Sequence, residues 1–172
     1  MKFTKTWQVA LGGVLAAGSL AVLWLACVVP SGQLGVTAVA GLFPVGAVLA
    51  AGRGAGLLCW AAASILGLLL LPDKGVALMY LVFLGLYPVV KSRLEQLKSR
   101  PVEWAGKLIY FNAALTLLWF AFRELFLPAL PEWMSAQVWV LYLAGNVIFI
   151  LYDIALSRLI GGLTARLRPK RM

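Results

Sequence analysis

The chain contains no histidine. That absence removes imidazole metal sites, His-based hydrolases and most intramembrane metalloproteases in one step. Acids are scarce as well, with 6 Asp and Glu against 15 Lys and Arg in 172 residues. An intramembrane aspartyl pair needs two carboxylates in one site, and the spans set out below place Asp73 and Asp153 on opposite sides of a membrane. The acid-rich run of lipid-headgroup transferases is absent, as are a GxSxG and a P-loop. An enzyme is therefore not expected, no metal or cofactor is expected, and any ATP-driven step belongs to another chain. The only cysteines, Cys27 and Cys59, lie inside apolar runs and read as small buried hydrophobes. Trp24–Cys27 is a poor lipoprotein cleavage site, with Trp in place of the usual leucine, so the first apolar run is read as a retained signal-anchor helix.

What remains is apolar. Charged residues make up 12% of the chain and hydrophobic ones 63%, against about 25% and about 45–50% for a soluble domain. The mean hydropathy is +0.95. Apolar runs long enough to cross a bilayer recur along the chain. The expectation is an all-α, polytopic membrane protein forming one domain, with helices at about 7–29, 34–51, 55–71, 76–90, 102–126 and 136–160. A basic segment, 91–101, and a tail, 161–172, complete it, and Leu94 and Leu97 suit a short surface helix within that segment. Pro44 in the second span implies a kink or a break.

The net charge of +9 does not point to nucleic acid, because its distribution follows the positive-inside rule. With six spans and the N-terminus inside, Lys2, Lys5, Arg53, Lys91, Arg93, Lys98, Arg100, Arg166, Arg168, Lys170 and Arg171 are inner, and Lys74 alone is outer. Both termini are then cytoplasmic, in a bacterial plasma membrane.

Two polar stripes mark a candidate site. In the fifth span Asn112, Thr116, Trp119 and Arg123 recur at helical spacing, and in the sixth Trp139, Tyr142, Asn146, Phe149 and Asp153 do the same. Polar groups in hydrocarbon are expected to face protein or a cavity. A substrate pocket lined by Asn112, Trp119, Arg123, Trp139, Tyr142 and Asn146 is expected, with Arg123 placed to recognise a carboxylate or phosphate or else paired with Glu124 or Glu132. Tyr80, Trp119, Trp139 and Tyr142 suit stacking on a planar heterocycle. Asp153 and Lys107 read as buried structural charges, either paired with each other or with Lys107 reaching the inner surface and Asp153 bonded to Asn112 or Arg158. Gly13, Ala17 and Ala21 line one face of the first helix, for packing inside the protein or for docking a partner.

Six short-looped helices, with Ala17-Gly-Ser-Leu-Ala21 on the first and polar groups on the last two, resemble the substrate-binding S components of energy-coupling factor (ECF) transporters. The resemblance implies that an AxxxA element on the first helix docks a transmembrane coupling subunit. It also implies two ATPase subunits as partners and capture of a vitamin-like or heterocyclic small molecule from the outer side. Only Pro30–Gln33 is available where family members often place a lid. The size and helix number are also similar to MreD-like cell-shape proteins, which are membrane scaffolds without transport activity.

Overall fold

The computed structural model describes residues 5–29, 32–97, 99–122, 124 and 138–167, with backbone alone at 163 and 165–167. Arg123, the Pro-rich turn at 127–133 and the basic tail from 168 lie outside these described residues. The described elements are all helical: α1 (Lys5–Val28), α2 (Gln33–Ala40), α3 (Leu42–Ala51), α4 (Arg53–Leu70), α5 (Lys74–Met79), a π-helical turn (Tyr80–Leu84), α6 (Tyr87–Leu94), α7 (Arg100–Ala121) and α8 (Val138–Leu167). Five helical segments among the described residues are long and apolar enough to cross a membrane: Lys5–Val28, Gln33–Ala51, Arg53–Leu70, Lys74–Leu94 and Val138–Gly162. This is the architecture of a multi-pass membrane protein. α7 is not among the five; Arg100, Glu103 and Lys107 crowd its first two turns. The chain divides into two compact units, residues 1–131 and 132–172.

In the first unit α1 packs through the face carrying Gly12, Ala16, Ser19, Leu23 and Ala26. Small residues there let α4 come close: a Cβ added to Gly12 would lie 3.3 Å from the Ala55 carbonyl oxygen and 3.4 Å from Leu58 Cβ. In lipid such close approach supplies the dispersion contacts that hold helices together. Gly13, Ala17 and Ala21 point the other way; all three are exposed, and a Cβ on Gly13 would meet nothing within 4 Å.

Two prolines interrupt the second and fourth spans. Pro44 has no N–H for the carbonyl of Ala40, four residues back, and α2 ends there. Gly41 keeps right-handed dihedrals (φ −63°, ψ −14°) and still donates its N–H to the Thr37 carbonyl at 3.1 Å. The second span therefore kinks at one residue and does not unwind. Pro88 likewise leaves the Leu84 carbonyl unserved from position 88, and the preceding turn widens, with Gly85 N–H reaching the Tyr80 carbonyl at 2.8 Å. Pro88 itself sits in the first turn of α6, where proline is tolerated. The helix thus runs on to Leu94. No separate surface helix exists among residues 91–97: Leu94 closes α6 and packs on Gly106 of α7.

The turns are tightly tied. Gly52 takes φ +89° to reverse the chain between α3 and α4, a backbone region suited to glycine. Asp73 caps α5 by accepting from Gly75 N–H at 2.8 Å and Val76 N–H at 3.2 Å, and also accepts from Gln33 Nε2 at 2.6 Å. Lys74 Nζ donates to the carbonyls of Leu68 and Leu71, both at 2.8 Å, at the end of α4.

The described part of the second unit is α8. Its 30 residues extend about 45 Å, more than the ~30 Å hydrocarbon core of a bilayer.

Candidate functional site

Two polar constellations stand out in the first unit. The first lies where the two interrupted spans meet. Ser19 Oγ is 3.0 Å from the Ala40 carbonyl oxygen and 2.8 Å from Tyr80 Oη. A carbonyl only accepts, so the Ser19 proton goes to Ala40, and Tyr80 O–H donates to Ser19 Oγ. A relay from Tyr80 through Ser19 thus satisfies the carbonyl that Pro44 releases. The π-helical turn is served in the same manner: Trp60 Nε1–H donates to the Leu81 carbonyl at 2.9 Å, and Tyr110 O–H to the Val82 carbonyl at 2.8 Å. Non-helical backbone deep in a membrane survives only with partners of this kind.

The second constellation joins α6 to α7. Lys91 is 1% exposed and Lys107 2%, so both ammonium groups need acids. Lys91 Nζ lies 2.8 Å from Glu95 Oε1, Lys107 Nζ lies 2.6 Å from Glu103 Oε1, and Glu95 reaches Lys107 as well at 3.5 Å. Lys107 also stands 5.3 Å from the centroid of the Trp104 ring, within range of a cation–π attraction. Above this cluster Tyr87 stacks on Tyr110 with centroids 5.9 Å apart, and Phe83 meets Phe111 edge-on at 5.3 Å.

The sequence-derived site residues fall in different environments. Trp119 is buried, Asn112 half-buried and Thr116 exposed, so their stripe crosses the edge of the buried α7 face, which is centred on Phe111, Ala114, Leu115 and Leu118. Asn112 Nδ2 donates to its own helix at the Leu108 carbonyl, 2.8 Å away. In α8, Asn146 Nδ2 does the same to the Tyr142 carbonyl at 2.8 Å, and Tyr142 is half-buried. Trp139 is 66% exposed, as suits an interfacial tryptophan. Lys107 and Asp153 are both buried; the Asp153 carbonyl accepts from Ser157 Oγ at 2.9 Å. Tyr80, a candidate for stacking, is fully buried and committed to Ser19.

Lys91, Glu95 and Glu103 were not singled out by sequence reasoning, yet a signal is present. Lys91/Glu95 and Glu103/Lys107 are both (i, i+4) pairs flanking one turn, the spacing at which opposite charges meet on a helix. Ser19 and Ser64 carry no comparable signal. No protein-family model, no curated protein and no solved structure matches this chain.

Proposed function

We propose that this chain is a membrane-embedded capture subunit of the ECF type, taking up a small vitamin-like or heterocyclic metabolite with separate coupling and ATPase subunits. The observation that carries this reading is the unused face of α1. Gly13, Ala17 and Ala21 form an exposed small-residue surface, open at Gly13 to within 4 Å among the described residues, on the flank away from the equally small face that packs the protein together. Small residues four apart suit the close approach of another backbone. Because the face is open, Ala17→Leu with Ala21→Leu should leave thermal unfolding in detergent unchanged. When the full chain is co-expressed with a coupling subunit and its two ATPases, the double variant should lose the co-purification that wild type shows. Equal recovery of the assembly by both proteins would end the proposal.

The capture reading includes six spans with both termini in the cytoplasm, α7 being the sixth element to cross. Its charges gather at one end, leaving 108–121 free of Asp, Glu, Lys and Arg. In a background lacking Cys27 and Cys59, Pro72→Cys should react with an impermeant thiol reagent on intact cells, and Ser99→Cys only after permeabilisation. The opposite pattern would invert the protein. A scaffold of the MreD-like type is favoured by one feature, the link of only four residues between α1 and α2, too short for a substrate lid. Co-purification with cell-wall assembly proteins in place of ATPases would select it.

A further inference from the structure

Three helices of the first unit begin on a cation. Lys5 opens α1, Arg53 opens α4 and Arg100 opens α7. The start of a helix carries partial positive charge, so a cation there is unfavourable where an acid would be stabilising. No acid stands in the first turn of α1 or α4, and the one in α7, Glu103, is committed to Lys107. Helix stability therefore does not account for these charges.

The packing gathers them at one end of the unit. α1 and α4 run side by side in the same direction, with Gly12 against Leu58 and Cys59, and Leu23 against Gly67. Gln8, one turn into α1, donates from Nε2 to the Ala51 carbonyl at 3.1 Å, which sets the start of α1 beside the turn between α3 and α4. Arg53 Nη2 donates to the Ser92 carbonyl at 3.3 Å. Its guanidinium thus lies against the backbone next to a fourth cation, Arg93, in the last turn of α6. The contact of Lys107 with Glu95 brings the start of α7 to the same end.

The acids at this end are already taken. Among the described residues they are Glu95 and Glu103, and the buried Lys91 and Lys107 hold both. Lys5, Arg93 and Arg100 are exposed and Arg53 is half-buried, and none of the four meets an acid among the described residues. The opposite end of the unit differs: Lys74 stands beside Asp73 and is held by two carbonyls. Within two turns of the free cations the surface becomes apolar, with Trp7, Leu58, Val102 and Trp104 exposed by 40%, 46%, 54% and 36%. Cations at the edge of a band of exposed tryptophan and aliphatic groups complement a phospholipid, whose phosphate sits directly over its acyl chains. An acidic protein segment would match the charges and leave the apolar band unused.

We propose that this rim binds anionic phospholipid, with Arg53 and Arg93 taking the headgroup phosphate and Lys5 and Arg100 adding charge. Guanidinium groups suit the role, since their forked donors match phosphate oxygens. The inference needs only the packing of the first unit and stands apart from the capture reading. It is tested on the purified full chain in a neutral detergent, by thermal unfolding with added phosphatidylglycerol or phosphatidylcholine of the same acyl chains. Phosphatidylglycerol should raise Tm saturably, by about 3–6 °C at tenfold over its dissociation constant, and phosphatidylcholine should not. Arg53→Gln with Arg93→Gln should match wild type in phosphatidylcholine and lose at least half of the rise. Arg93→Gln alone, at an exposed side chain with no contact to break, should lose part of it and carries the test should the double variant not fold. Equal Tm with the two lipids, or a full response in both variants, overturns the proposal. The same rise from glycerol 3-phosphate or polyglutamate overturns it too, and would assign the rim to a soluble anion or an acidic protein.

Discussion

Gly41→Ala should lower Tm by about 6–12 °C, corresponding to a loss of about 3 kcal/mol, at the upper end of the cost of overpacking. The added methyl would sit 2.5 Å from the Leu84 carbonyl oxygen. Both parties are backbone, so no rotamer change relieves the clash, and the two interrupted spans must move apart. Their separation would also break the relay from Tyr80 through Ser19 to Ala40, stranding a carbonyl in the apolar interior. The same change at Gly13 or Gly46, where a Cβ meets nothing within 4 Å, should be neutral or slightly stabilising, since alanine is the better helix former. Thermal unfolding of the three variants in one detergent makes the comparison. A Gly41→Ala protein as stable as Gly46→Ala would mean that the spans are not held together at this point.

The same glycine shows where sequence reading reaches its limit. Pro44 announced an interruption, because a proline cannot serve the carbonyl four residues back, and the kink at Gly41 follows from that rule. Pro88 falls under the same rule, but its consequence is less legible. Proline fits the first turn of a new helix as well as the end of an old one, and here it opens α6, so Lys91 lies inside the packed protein and not in a basic loop. The choice of packing face on α1 was not legible at all. Gly12, Ala16 and Ser19 lie on one side and Gly13, Ala17 and Ala21 on the other, and both sets are small enough for a close neighbour. Which is used depends on α4, through the fit of Gly12 against Ala55 and Leu58, a tertiary fact with no local signature. The polar stripe of α7 was legible as spacing, but periodicity alone does not separate a half-buried Asn112 bonded to its own helix from one aimed at a ligand.

Lys107→Met should destabilise the protein by about 2–3 kcal/mol, because it leaves Glu103 without its close cation in a mostly buried setting. Breaking a fully buried pair costs about 3–5 kcal/mol; the acids here are 19% and 38% exposed at Glu103 and Glu95, and solvent lowers the figure. Lys91→Met should cost less, since its acid at 2.8 Å, Glu95, is the more exposed of the two. The pairing itself is measured by a double-mutant cycle. Once Lys107 is gone, Glu103→Gln removes a charge that is then unpaired, so Lys107→Met with Glu103→Gln should be more stable than the sum of the single changes predicts, by about 1–2 kcal/mol. Because Glu103 and Lys107 share α7 while Glu95 follows α6, the cycle between Lys107 and Glu95 reports on the hairpin, and that between Lys107 and Glu103 on the helix alone. Coupling to Glu95 should be the weaker, given its 3.5 Å separation. Strict additivity in both cycles would show that the lysine is held by its burial against Trp104 and not by the acids, and the account of the α6–α7 cluster as an ion network would fall.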